Sequence, residues 1–333
     1  MTASEESRPT TALRAASSGR GLRAVAPLLL VVLSLVLIFV GERLAPGFAT
    51  VANMLQLLKL ASFLGLAAIG QTVVMLTGGI DLSIAWVLTA SAVVFTGICN
   101  GEDANIVPAA AAAIGVGLGT GLLNGFGVVK LRISPIVMTL ATNNIMLGAT
   151  LIYTGGTPSG SSSPLVRALA TGNIGSIPAM VMLWCLLAIL TVVAVRYTRG
   201  GRMLLGVGEN PRVSYLTGIR NDRVIIAAYV VCGFMTSATG ILFAAFSGAS
   251  FLGMGDQFVL PTVAAVVLGG TSMFGGRGGY GGTMAAVFFT TILTTVLVIG
   301  NIPQGVRSIV FGVAVLAAIL AQRFLTRRDD RDQ

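Results

Sequence analysis

Apolar runs long enough to cross a bilayer follow one another almost from end to end of this sequence, and that succession restricts the fold more than any single motif. They lie at about 25–40, 51–76, 80–98, 106–128, 135–154, 177–196, 222–247, 258–275, 281–299 and 303–322. A helix needs ~20 apolar residues to span a hydrocarbon core, so the pattern predicts about ten transmembrane helices. The 333 residues could make two or three soluble domains, but 55% are apolar and only 10% charged, which excludes that reading. The expected fold class is an all-α polytopic membrane protein. Residues 1–23 read as a disordered tail carrying Arg8, Arg14, Arg20 and Arg23 ahead of an uncleaved first span. A transmembrane domain is expected over 24–322 and a second tail over 323–333.

One long polar interruption breaks the succession: Arg196–Arg223, with six arginines and the segment Gly208-Glu209-Asn210-Pro211. Asn210 suits an N-cap, since its side chain can accept from the free N–H groups of a helix beginning at Pro211. Gly218 suits the stop. A short helix bracketed by Gly208 and Gly218 at a membrane face reads either as a docking element or as a cytoplasmic loop held there by positive charge. If the amino terminus is cytoplasmic, all but Arg43, Lys59, Arg167 and Arg307 of the 21 basic residues fall on the inner side. That bias predicts both termini and the central loop to be cytoplasmic.

Composition removes several chemistries. There is no histidine, so a His-based relay, a Ser-His-Asp site and a His-ligated metal are excluded. Cys99, Cys185 and Cys232 lie far apart in or beside apolar runs and read as small packing residues. The net charge of +9 comes from residues flanking spans, so topology accounts for it and no nucleic-acid partner is expected. No G-x-x-x-x-G-K-[ST] occurs, so any nucleotide energy must come from another chain. Most of the 43 glycines read as contact points between helices, among them Gly115-x-Gly117-x-Gly119-x-Gly121 and the run Gly269–Gly282. A weak internal echo pairs GGIDLS at 78–83 with GGTSMF at 269–274, each placing Gly-Gly at the cytoplasmic end of a hairpin between spans.

Few polar side chains remain inside the runs. Asp81 stands at the amino end of a helix, where a carboxylate caps free N–H groups; a proton or cation site is the other reading. Thr139, Asn143 and Met146 share one face of the fifth run, with Thr142 beside them. Neutral amides and hydroxyls there suit either a pathway for a neutral polyhydroxyl solute or bonding between helices, and Asn124 and Gln71 admit the same two readings.

Several motifs in order give the chain a specific resemblance: GGIDLS at 78–83, GLLNGFGVVKLRISPIVMTLAT at 121–142, TGGTP at 154–158, GENPRVSYLTGI at 208–219 and AAVVLGGTSMFGGRGGYGGT at 264–283. Over about 50–320 it resembles the permease subunits of bacterial ATP-binding-cassette importers of the ribose/xylose/arabinose/galactose type. The resemblance implies a bacterial inner-membrane protein that is not itself an enzyme and binds no cofactor, ATP and Mg being held by a partner ATPase. It implies a second permease copy, as homodimer or heterodimer, and an extracytoplasmic sugar-binding protein. It assigns docking on the ATPase to Gly208, Glu209, Asn210, Pro211, Tyr215, Leu216, Gly218 and Ile219, and places the GGIDLS and GGTSMFGG segments in the structural core. The carried solute would be a monosaccharide, with a nucleoside, a sugar-derived signal or a branched-chain amino acid as alternatives. An ion-coupled secondary transporter, from a different class, would have to use Asp81. The chain departs from its relatives at Arg212-Val213-Ser214, at Leu147-Gly148, and at Val259 and Pro261, where family members usually carry other residues.

Overall fold

A computed structural model of the chain describes residues 29–331, with side chains to residue 320. The tail expected at 1–23 lies outside the described residues. The elements are α1 (29–44), α2 (Val51–Leu76), α3 (Ile84–Cys99), α4 (Ile106–Val129), α5 (Pro135–Thr154), α6 (Pro164–Thr171), α7 (Ala179–Tyr197), α8 (Arg199–Glu209), α9 (Pro211–Leu216), α10 (Asn221–Ser247), α11 (Asp256–Leu268), α12 (Tyr280–Ile299) and α13 (Gln304–Arg331). A two-stranded hairpin pairs Asn173 with Pro178 and Ile174 with Ile177. Among the described residues six helices are long and apolar enough to cross a membrane, namely α2, α4, α5, α7, α10 and α12. Every run read from the sequence carries a helix, but α3 and α11 are only 16 and 13 residues long.

The shortfall has a local cause in the glycines that precede or follow these helices. At the end of α2, Gly78 N–H donates to Met75 O at 3.0 Å and Gly79 N–H to Val74 O at 3.2 Å, with Gly78 at φ +83°. At the end of α11, Gly270 N–H donates to Val267 O at 3.0 Å and Thr271 N–H to Val266 O at 3.2 Å, with Gly270 at φ +89°. Both are Schellman closures, which satisfy the last carbonyls and turn the chain out of the helix. Residues 77–83 and 269–279 are therefore non-helical backbone, buried at Asp81, Ser83, Thr271 and Gly276 and exposed at Gly78, Gly270 and Phe274. The sequence echo is real at these two helix ends, but the left-handed glycine is the first of one Gly-Gly pair and the second of the other.

The centre of the bundle is α2, buried over most of its length against α7, α10, α11 and α12. It is apolar on all sides, as a fully enclosed helix must be. Small residues set its distances: a Cβ on Gly65 would collide with Trp184, and one on Gly70 would stand 2.8 Å from Cys232 Cα. Tyr280 locks the same place, its hydroxyl donating to Gly65 O at 2.7 Å while accepting from Trp184 Nε1 at 2.7 Å.

The most extensive helix pair is α4 with α10. Gly117, Gly121 and Gly125 form its seam: side chains there would strike Gly233 O, Tyr229 O and Ile226 Cα. Gly115 and Gly119, expected in the same role, face open space instead. With 3.6 residues per turn, positions four apart share a face and positions two apart do not, so only alternate members of the i, i+2 run can reach α10. Replacing Gly121 with Leu should therefore destabilise the protein by about 3 kcal/mol through forced separation of α4 and α10, while Gly119→Leu should leave the thermal midpoint of the detergent-solubilised chain unchanged. Equal midpoints for the two variants would refute the seam.

Candidate functional site

The polar loop between α7 and α10 folds into two short helices with closed ends. Thr198 Oγ1 accepts from Gly201 N–H at 3.2 Å and starts α8. Asn210 ends α8, and its Oδ1 accepts from Arg212 N–H and Val213 N–H, both at 3.1 Å, so one residue closes one helix and caps the next. Pro211 occupies the first turn, where its missing donor costs nothing. The far end of α9 is a third Schellman closure: Gly218 N–H donates to Tyr215 O at 3.0 Å, Ile219 N–H to Ser214 O at 3.1 Å, and Gly218 sits at φ +85°. Asn221 Nδ2 then donates to Pro211 O at 2.6 Å, tying the exit of the loop to its start.

Local polar chemistry has thus used up the backbone groups of α9, while its apolar side chains are left outside. Tyr215 is 71% exposed and Leu216 77%, with Val213 beside them, and Ser214 turns inward. An apolar tip set among arginines is the composition of a contact surface.

The loop rests on the two glycine-rich segments. Gly276 N–H donates to Leu76 O at 3.0 Å, so the end of α2 and the segment after α11 are joined directly. Gly208 lies within α8, not at the border of α9 where the sequence placed it, and its α-carbon fits against that bond: a Cβ would overlap Leu76 O and Gly276 N. A Cβ on Gly275 would be 3.0 Å from Gly208 Cα, and one on Gly276 2.5 Å from Glu209 Cα. Glu209 also faces Arg277 at 3.6 Å, an exposed pair that adds little. Three separate motifs therefore converge on one joint under α8 and α9. No periodicity or spacing in the sequence announces this contact, because it is made by glycines that no side-chain pattern marks.

The polar residues of α4 and α5 form a second arrangement. Asp81 Oδ1 accepts from Ser83 N–H at 2.9 Å and from Ser83 Oγ at 2.5 Å. Asn124 Nδ2 donates to Ser83 Oγ at 3.0 Å and its Oδ1 accepts from Thr142 Oγ1 at 2.6 Å. Asn143 Oδ1 accepts from Trp86 N–H at 3.3 Å in the first turn of α3, and Thr139 donates to Pro135 O at 2.9 Å with Ile80 O at 3.5 Å. Asp81, Asn124, Thr139 and Thr142 are buried. Ser83 occupies the N-cap position of α3 and makes no cap bond, so the carboxylate of Asp81 works two residues ahead of the N-cap and holds the turn. Four of the five residues weighed as solute-facing thus bond to the 80–86 segment, to one another or to their own helix. Gln71 stands apart, buried on α2, with neither amide atom partnered among the described residues. Among the described residues no group of His, Cys, Asp and Glu could hold a metal ion.

Comparison with known proteins bears on both arrangements. Residues 53–320 match the family described as branched-chain amino acid transport system, permease component. That match takes in both glycine segments, the α8–α9 loop and the Asp81 network. The chain belongs to this permease family. This permease is 31% identical over 290 residues to the ribose import permease protein of Escherichia coli, covering 86% of this chain and 90% of the relative. It is 31% identical over 293 residues to the ribose import permease protein of Bacillus subtilis, with the same coverage of both chains. The autoinducer 2 import system permease protein of Yersinia enterocolitica is 32% identical over 260 residues, 78% of this chain and 72% of that one. No solved structure matches the permease.

The Asn124 network makes a specific claim about coupling. Asn124→Leu strands the buried hydroxyl of Thr142 and should cost the permease about 2 kcal/mol. Adding Thr142→Val should recover roughly half of that, because the stranded hydroxyl is removed with its lost partner. Additive losses in thermal unfolding would show that the two residues do not act as a pair.

Proposed function

We propose that this chain is the membrane subunit of an ATP-driven importer for a monosaccharide, and that α9 docks on a separate ATPase. The observation that carries the docking is the build of α9: six residues fixed by Asn210 and Gly218, with Tyr215 and Leu216 turned outward, seated on a joint that touches α2 and the segment after α11. A push on Tyr215 and Leu216 passes through Gly208 to the end of the central helix. ATP and Mg belong to the partner, whose closure on nucleotide moves α9 and alternates access across the bundle. The termini and the α8–α9 loop face the cytoplasm, in keeping with the arginine bias. A second permease copy completes the pathway, and an extracytoplasmic binding protein delivers the solute.

The sugar assignment rests on the ribose import permeases among the relatives. Asp81 contributes structure to this mechanism and is not a coupling-ion site, since its carboxylate is engaged by Ser83 on both backbone and side chain. Uptake should accordingly survive Asp81→Asn at unchanged protein level, whereas ion-driven transport would fail with it.

The deciding measurement is ATPase activity of the chain co-purified with its ATPase in lipid nanodiscs, with binding protein loaded from a panel of monosaccharides, nucleosides, the autoinducer and branched-chain amino acids. Stimulation by a monosaccharide is expected; stimulation by leucine alone would replace the substrate class, and failure to recover any ATPase partner would remove the mechanism. In the same system Tyr215→Ala with Leu216→Ala should lower stimulated hydrolysis at least tenfold while the permease remains folded.

A further inference from the structure

At the end of the molecule opposite α9, the helices α11, α12 and α13 enclose a cavity of about 100 Å³. The opposition follows from the chain path: the carboxyl end of α11 leads into residues 274–276 at the Gly208 joint, and Asp256 heads its other end, ~20 Å away along a 13-residue helix. Its lining includes Asp256, Thr294, Gln304, Arg307 and Ser308 around an apolar floor of Phe311, Leu260 and Pro261. Phe311 is buried. Arg307 Nε is buried with no hydrogen-bond partner among the described residues, an arrangement that ordinarily calls for a partner. Thr294 and Ser308 spend their hydroxyl protons on Thr290 O and Gln304 O, at 2.8 and 3.2 Å, which leaves their oxygen lone pairs facing outward as acceptors.

From this lining we infer that the cavity is a binding site for a neutral polyhydroxyl solute on the outer face of the protein. A carboxylate only accepts and a guanidinium only donates, so Asp256 and Arg307 together complement hydroxyls, each of which can do both. The guanidinium fork spans two neighbouring oxygens, as in a vicinal diol, more closely than an ammonium could. One group of each sign leaves the lining without a fixed excess charge, which disfavours an anion or a cation as ligand. The apolar floor suits the C–H face of a pyranose or furanose ring, in the manner of pockets that bury an apolar surface and orient it with a few polar groups. Sequence reading saw Arg307 only as a basic residue left on the outer side, and Asp256 not at all. The inference rests on the importer reading for its sidedness and deepens it by naming where the solute first meets this chain.

The test uses the full chain in nanodiscs and in intact cells, with Cys185→Ser to lower background and Gln257→Cys, at the exposed edge of the cavity, as the reporter. A membrane-impermeant maleimide should label the introduced thiol from outside. D-ribose, D-xylose or D-galactose at tens of millimolar should slow that labelling at least threefold relative to L-leucine at the same concentration. Arg307→Gln should abolish the protection, and Gln304→Ala, at the exposed rim, should weaken it while leaving Arg307 in place. Equal labelling rates with and without all three sugars would overturn the site, as would protection by leucine alone or protection that persists in Arg307→Gln. Protection that tracks the phosphatidylglycerol content of the nanodisc and not the sugar would assign the cavity to a lipid headgroup and overturn it too. Labelling only after permeabilisation would overturn the outward placement. Loss of protection while stimulated hydrolysis still depends on Tyr215 and Leu216 would remove the cavity and leave the importer reading intact.

Discussion

Every backbone N–H and C=O of a chain in lipid must find a partner inside the protein, and the architecture here follows from how that demand is met where helices stop. Three helix ends, those of α2, α9 and α11, are closed by the same pair of backward hydrogen bonds with a left-handed glycine: Gly78, Gly218 and Gly270. The closures at α2 and α11 release two non-helical segments at one end of the bundle, and these segments then supply the groups that hold α8 in place. Without glycine at these positions the chain would have to continue as helix or leave its last carbonyls unpaired. Each alternative would separate α9 from the core.

Close approach between helices is the second consequence of the same surroundings. Lipid is as apolar as the helix faces, so association depends on contact distance and on a few internal hydrogen bonds. The α4–α10 seam at Gly117, Gly121 and Gly125 and the clasp of Tyr280 between Gly65 and Trp184 are of this kind. The Thr142–Asn124–Ser83–Asp81 chain does the same work with polar groups, fastening α4 and α5 to the turn that precedes α3.

Much of this was legible before any coordinates. Run lengths located the helices because the bilayer sets a minimum length, and α2 and α5 begin and end where their apolar runs do. Asn210, Pro211 and Gly218 located α9 because capping chemistry is local. The helicity of α8 was missed: its arginines and glycines give it no apolar run, and its stability comes from Val207 and Gly201 buried against neighbours. The convergence of residues 76–78, 208–209 and 274–276 could not be read, since contacts among backbone atoms at glycines leave no residue pattern. The polar face of α5 was visible, but whether it meets solute or the 80–86 turn depends on the placement of a segment distant in sequence.

On the proposed docking, α9 meets its partner already folded, which differs in kind from an element that folds on its partner. Because α9 is closed at both ends by its own residues and tied back through Asn221, association does not have to supply the entropy of ordering it. The side chains that face outward are then free of any duty in keeping the helix formed. Arg212 and Val213 can then be exchanged without loss of the fold beneath them, so an α9 that docks as proposed could change partner through its surface residues while the joint at Gly208 stays constant.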